Sequence, residues 1–436
     1  MNATGGARVL LRTTLAAIVV AASTLLIATT PSPTPSPTPT PTTDPVQTAE
    51  YWLDGAKIRD AWAVTRGAGV TIAVIDTGVA RGPAFDAAVK DGTDVSDLGS
   101  PDGRTPVGPL DSDHGSFVAS LAAARPKADG SGMIGVAPEA DLLSISLGFG
   151  SSAPVPFAKQ VADAMVWAVD HGADVINLSF TTNTLDWDPS WDEAFLYAYE
   201  HDVVVVVAAG NRGSGTTQVG APATIPGVLT VGGVDQHGMA SRSASTQGIT
   251  IGVSAPSEGL LGIAADGEVK SWNGTSGAAP IVAGIAALVR AAHPDLDAGD
   301  VINRITRTAR PAPAATQRPD PLYGYGLVDA EAAVTAAVDP VDTSPKDELT
   351  EWIRLHRRGE APEVPQPTSA PVSIPPLEAA EPPTVPGSPL IPSADSLLYG
   401  TLPLIAVTLP GILIGLGVTA AARRIRSARA RRTPSP

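Results

Sequence analysis

The chain has 436 residues and no cysteine, which is enough for one large domain with a buried core plus appendages and excludes disulfides, a thiolate nucleophile, cysteine-bound zinc and a lipidated cysteine. Its formal net charge is −15, and all 44 acidic residues fall between Asp44 and Asp395 while Arg8, Arg12 and six arginines after residue 422 crowd the two ends. So acidic a middle repels phosphate backbones and argues against nucleic acid as a partner, and six scattered histidines with no His-Glu-x-x-His argue against a zinc hydrolase.

In chain order, residues 1–30 read as an export signal, with Arg8 and Arg12 ahead of an apolar region from Leu15 to Ala28. The cleavage site is poorly marked, which leaves an uncleaved anchor open. Residues 31–48 form a Pro/Thr-rich spacer that packs no core. A short helix is expected through Ile58, Ala61, Trp62 and Val64, ended by Gly67-Ala68-Gly69. The continuous apolar run Val70 to Ile75 then stops at Asp76-Thr77-Gly78, as a parallel strand covered on both faces does. Similar runs recur at 142–147, 175–180, 203–208, 228–234 and 249–255, with helical stretches at about 114–124, 157–171, 190–201, 276–292 and 299–309. Strands alternating with helices imply an α/β domain with a parallel sheet and helices on both faces, placed here at 49–338. Ligands of such sheets bind at the carboxyl ends of the strands.

Residues 339–395 are assigned to a Pro-rich linker, with 11 prolines in the 31 residues from Pro362 to Pro392. Residues 396–422 are uncharged and long enough to cross ~30 Å of hydrocarbon as one transmembrane helix. The arginines of the basic tail 423–436 place the C-terminus in the cytoplasm and the large domain outside.

Four polar residues stand out at the ends of apolar elements: Asp76, His114, Asn211 and Ser276. Singly each has a plain structural reading, as a turn or helix cap, a surface histidine, a strand-end turn and an N-cap. Together they are a carboxylate, an imidazole, a carboxamide and a hydroxyl. A serine nucleophile needs a base that titrates near neutrality. That imidazole needs a carboxylate to fix its tautomer, and the oxyanion needs a preorganised donor. The chain order Asp, His, Ser differs from that of chymotrypsin-like and α/β-hydrolase enzymes, and Ala278 breaks the Gly-x-Ser-x-Gly form.

The segments Val74-Ile75-Asp76-Thr77-Gly78, His114-Gly115-Ser116-x-Val118-Ala119, Ala208-Ala209-Gly210-Asn211 and Gly274-Thr275-Ser276-x-Ala278-x-Pro280 resemble the subtilisin family of serine peptidases, in its order, over roughly residues 50–338. The resemblance implies a subtilisin-like fold and a serine endopeptidase with Asp76, His114 and Ser276 as triad. By the same resemblance Asn211 and the Ser276 N–H are expected to form the oxyanion hole. Substrate peptide is expected along Val175 to Phe180 by strand addition, with Ser179, Phe180, Thr181, Ala209 and Gly210 as subsite residues. Within the family the layout is similar to the mycosins of type VII secretion, which implies a secretion complex as partner and leaves open an alternative in which the domain is a scaffold of that complex with catalysis secondary. Against that pattern the mycosin cysteines are missing, Ser116 stands for threonine, and Gly277 stands for a larger residue, which is expected to loosen the start of the serine's helix. The stretch before Tyr51 leaves no room for a folded inhibitory prodomain, so no activation of that type is expected. No cofactor and no metal are assigned. Calcium is common in the family, but Asp111 and Asp113 read better as a solvated loop than as ligands.

Overall fold

The computed structural model describes residues 44–108, 112–150, 153–357, 413 and 416–424. Contacts divide the chain into a unit ending at Thr48, of which the described part is a helical turn, and a unit from Ala49 onward. The second unit opens with helices α1 (Tyr51–Gly55) and α2 (Ile58–Ala61), whose Trp52, Leu53 and Ile58 are fully buried. Seven parallel strands follow: β1 (Thr71–Asp76), β2 (Val89–Asp94), β3 (Asp141–Ser146), β4 (Val175–Leu178), β5 (Val204–Ala208), β6 (Leu229–Val234) and β7 (Ile251–Pro256), in the order β2-β3-β1-β4-β5-β6-β7. Six of these coincide with the apolar runs read from the sequence. The seventh, β2, carries Lys90, Asp91, Thr93 and Asp94 at the sheet edge, where only one neighbour covers it, so no apolar run announces it.

Side chains alternate across each strand. Ala73, Ile75, Ile145, Ile176, Leu178, Val205 and Val207 face helices α4 (Phe157–Asp170) and α5 (Ser190–Glu200) in one continuous core. The alternate residues meet α3 (His114–Ala123) and above all α6 (Thr275–Ala292), which runs beneath β4 to β7. Helices α7 (Ala298–Thr308) and α8 (Ala330–Thr335) and the antiparallel hairpin of β8 (Leu260–Ile263) with β9 (Val269–Trp272) complete this side. The expectation of an α/β domain with helices on both faces is met. Among the described residues α6 is the one helix long and apolar enough to cross a membrane, and it is mostly buried in this core. The span expected at 396–422 lies largely outside the described residues, of which 413 and 416–424 are helical.

The domain does not stop at residue 338. Helix α9 (Pro345–His356) begins with a capping box, in which Ser344 and Asp347 bond each other's backbone N–H, and with Pro345 in the first turn. It runs antiparallel to α5, tied by Lys346–Glu200 at one end and Arg357–Asp192 at the other. Leu349 is fully buried, Trp352 packs on Trp187 with ring centres 4.3 Å apart, and the Arg357 guanidinium lies over both indoles. The first part of the segment assigned to linker, up to Arg357, is therefore folded against α5, because an amphipathic helix with three large apolar residues buries more than composition alone conveys.

Candidate active site

β1 lies where the strand order departs in two directions, toward β3 and toward β4, and its last residue is Asp76. Such a point leaves a crevice above the strand ends. Asp76 is fully buried, and its Oδ1 accepts from the Thr77 N–H and from His114 Nδ1, both at 2.7 Å. An ionised carboxylate only accepts, so the imidazole proton sits on Nδ1 and Nε2 keeps its lone pair when the ring is neutral. His114 is the first residue of α3, and that helix start is bound to β1 through the Gly115 N–H donating to Thr77 Oγ1 at 2.8 Å. The two backbones approach so closely that a Cβ on Gly115 would lie 2.4 Å from the Gly78 carbonyl oxygen, which explains the glycine after the histidine. Trp272 of β9 packs edge-on to the imidazole at 5.7 Å and covers one of its sides.

Ser276 is the second residue of α6, so its N–H is among the first-turn donors that have no carbonyl within the helix. Its hydroxyl donates to the Ser179 carbonyl at 2.9 Å, and the Ser179 hydroxyl donates back to the Ser276 carbonyl at 2.9 Å. The buried Asn177 amide donates to that same Ser179 hydroxyl. A hydroxyl has a single proton, so in this resting rotamer it points to Ser179 and not to His114. Asn211, three residues past β5, is fixed by Thr275: its Oδ1 accepts from the Thr275 N–H at 2.8 Å and from the Thr275 hydroxyl at 3.0 Å, while that hydroxyl accepts from the Gly210 N–H. With the carbonyl end committed to two donors, the orientation of the amide is determined and its NH2 is the end left for the cleft.

A cleft of about 380 Å³ is lined by His114, Ser276, Asn211, Ser179, Phe180, Thr181 and Gly210, so it gathers three of the four predicted site residues and four of the five predicted subsite residues. Asp76 stands behind His114. Ala209 is the exception: its side chain is fully buried in the core shared with α4 and α5, because alternation along the end of β5 turns it away from the cleft side. Sequence reasoning passed over Thr77, Thr275, Asn183 and Thr216, which also line the cleft. The threonine directly before the serine was the legible signal for Thr275. Thr216 and Asn183 sit in loops with none.

The model of the subtilase family matches residues 67–326. This chain is a subtilase. It is 35% identical over 347 residues to Mycosin-4 of Mycobacterium tuberculosis, covering 70% of this chain and 73% of that one. It is 34% identical over 272 residues to Subtilisin DY of Bacillus licheniformis, covering 62% and 92%. Among solved structures it is similar to the MycP3 protease from the type VII (ESX-3) secretion system, with a TM-score of 0.58 and 34% identity over 68% of this chain and 90% of that one. The subtilase fold and the class of enzyme, a serine peptidase, follow from these likenesses.

In this subtilase Gly277 does not leave the helix start loose. A Cβ at that position would lie 2.3 Å from Leu260 Cδ1, 3.2 Å from Leu121 Cδ1 and 3.3 Å from the Trp272 ring, so β8 and β9 supply the bulk that a larger residue would bring. Gly277→Met alone is expected to cost about 1–3 kcal/mol by overpacking, and Leu260→Ala alone about 2–5 kcal/mol through the cavity it leaves. Together they are expected to cost clearly less than the sum, because the methionine fills the space of the leucine. Denaturant unfolding of the three variants checks this, and strictly additive losses would contradict it. Asp113 is also accounted for within the protein: it accepts from the Ala265 N–H and pairs with Lys270, and this hydrogen bond holds the lysine ammonium above its ordinary pKa. Asp111 lies outside the described residues, and among the described residues no group of three acidic or histidine side chains is placed to hold a metal ion.

Proposed function

We propose that this subtilase is a membrane-tethered, outward-facing serine endopeptidase that hydrolyses peptide bonds with Asp76, His114 and Ser276, and that it serves a type VII secretion system. The observation that carries the catalytic reading is the buried carboxylate bonded to an imidazole whose ring shares one cleft with a hydroxyl at a helix N-terminus. The Ser276 hydroxyl turns from Ser179 to His114 Nε2, gives up its proton and attacks the carbonyl carbon. The resulting imidazolium is stabilised by Asp76 and protonates the leaving amine. The oxyanion is held by the Asn211 NH2 and the Ser276 N–H, in the positive field of the α6 N-terminus. Water then repeats the sequence to release the acid. Asn211→Ala is expected to lower kcat by about 10²–10³, the loss that subtilisin shows for its own oxyanion-hole asparagine, with KM little changed; a loss confined to KM would remove Asn211 from the oxyanion hole.

The tether rests on the uncharged segment 396–422 followed by arginines. The secretion role rests on likeness to a protease described as coming from the ESX-3 system. The test is a membrane-impermeant fluorophosphonate applied to intact cells that carry the full chain, followed by fractionation and mapping of the modified residue. Label on Ser276, in the membrane fraction, reached without lysis and absent from Ser276→Ala, is the expected result. Label only after lysis would overturn the outward orientation, and label on another residue or none would overturn the catalytic assignment.

A further inference from the structure

The cleft has a leaving side and an acyl side. The imidazole protonates the departing amine, so the leaving group is on the His114 side. The side chain of the residue that supplies the scissile carbonyl is then directed away from His114, between the segment after β4 that carries Thr181 and Asn183 and the segment after β5 that carries Gly210 and Thr216. Gly210 has φ +102° and no side chain, yet the space above it is not open. A Cβ built there would lie 2.7 Å from Thr216 Cγ2 and 2.9 Å from Thr181 Cγ2, so methyl groups from two separate segments converge on one point. Neither methyl is free to swing away. The one proton of the Thr181 hydroxyl is shared between the Thr182 and Gly220 carbonyls, each at 3.0 Å, and the Thr216 hydroxyl donates to Asn183 Oδ1 at 3.1 Å. A β-branched side chain with its hydroxyl engaged has its rotamer set, and its methyl is aimed by the same bond. Thr216 is itself only 6% exposed, and the Thr216–Asn183 bond joins the two segments beyond the methyls.

We propose that Thr181 and Thr216 set the size limit for the residue on the acyl side of the cleaved bond, so that this peptidase cleaves after alanine, glycine or serine and rejects phenylalanine and leucine there. The inference rests on the reading of Ser276 as nucleophile. Threonines whose hydroxyls are already bound present only methyl to the substrate, so the selection is by volume and not by polarity. One methylene too many in such a pocket is worth roughly 10–200-fold, and a benzyl group exceeds the space by several.

The test uses two peptidyl diphenyl phosphonates that differ only in the group beside phosphorus, methyl or benzyl. Ser276 Oγ attacks phosphorus, one phenolate leaves, and the serine proton passes through His114 to that phenolate, so inactivation is read without turnover. Rates are compared for the wild type, Thr181→Ser, Thr216→Ser and the double variant. Serine keeps each hydroxyl and its bonds and removes only the methyl, which preserves the fold. The wild type is expected to react with the methyl probe more than about tenfold faster than with the benzyl probe, and the double variant is expected to shrink that ratio by at least about tenfold. A wild type that prefers benzyl, or a ratio unchanged in the double variant, overturns the size limit while leaving the nucleophile reading intact, since Ser276 has then been modified. Absence of modification at Ser276 by either probe and by a small fluorophosphonate overturns the nucleophile reading and this inference with it.

Discussion

Replacing Ser276 by Ala is expected to lower peptide turnover by about 10⁶, the magnitude that subtilisin itself shows for loss of its nucleophile. The loss is chemical and not structural. Among the described residues the Ser276 side chain makes a single hydrogen bond, to the Ser179 carbonyl, and it is partly exposed at the mouth of α6, whose packing is carried by the buried residues from Ala278 onward. Removing one part-buried hydroxyl bond costs about 1 kcal/mol, so the variant is expected to melt within a few degrees of the parent. His114→Ala is expected to lose about as much activity, and the double variant no more than either, because the two groups act as one unit. A residual rate above that of water remains, from the oxyanion donors and substrate positioning. Single-turnover cleavage of one fluorogenic peptide by the three variants, with unfolding followed in parallel, decides the matter. Parental turnover in Ser276→Ala would end the proposed mechanism, and losses that multiply in the double variant would show that the serine and histidine do not act together.

Much of this arrangement could be read from the chain because its elements are unusually plain. Ile72 to Ile75 and Val203 to Val207 are apolar without interruption, as strands buried on both faces are, and each is followed by a residue that bears on the site. What could not be read falls into three kinds. The edge strand β2 and the hairpin strand β9 are half solvated, so their polar residues conceal them, while β8 is only the four residues Leu260–Ile263, too short for a pattern to show. Helix α9 was hidden by the neighbouring prolines, although Ser344-Pro345-Lys346-Asp347 carries the signs of a helix start and Trp352 only makes sense with a partner. Side-chain direction at a strand end was not decidable either. Ala209 and Gly210 are adjacent, yet one belongs to the core and the other to the cleft. The same limit applies to Gly277, whose missing side chain is replaced by Leu260 from a strand the sequence did not announce.

Asp76→Ala is expected to cost about 10⁴ in kcat, near the value known for the matching aspartate of subtilisin, and Asp76→Asn is expected to cost less. The difference comes from Thr77. In the native protein Asp76 Oδ1 accepts from the Thr77 N–H and the His114 ring together, while Oδ2 is buried without a partner among the described residues. An asparagine can place its oxygen or its NH2 at the shared position. With NH2 there, the Thr77 N–H faces a second donor and loses its bond, the amide oxygen is left buried without a partner, and the one bond kept, NH2 to Nδ1, forces the ring into the opposite tautomer; oxygen there keeps both bonds and leaves only the amide NH2 unpaired. The second arrangement wins, since two hydrogen bonds in a dry site outweigh one orphaned group. His114 then retains its proton on Nδ1 and its lone pair toward Ser276, and the variant loses only the charge that stabilises the imidazolium. Alanine loses both charge and orientation. A downfield Nδ1 proton resonance is therefore expected in the wild type and in Asp76→Asn but not in Asp76→Ala, alongside kcat values ranked in the same order. If Asp76→Asn lacked that resonance and fell as low as alanine, the amide would have flipped, and the Thr77 N–H would not be what holds the carboxylate in register with the histidine.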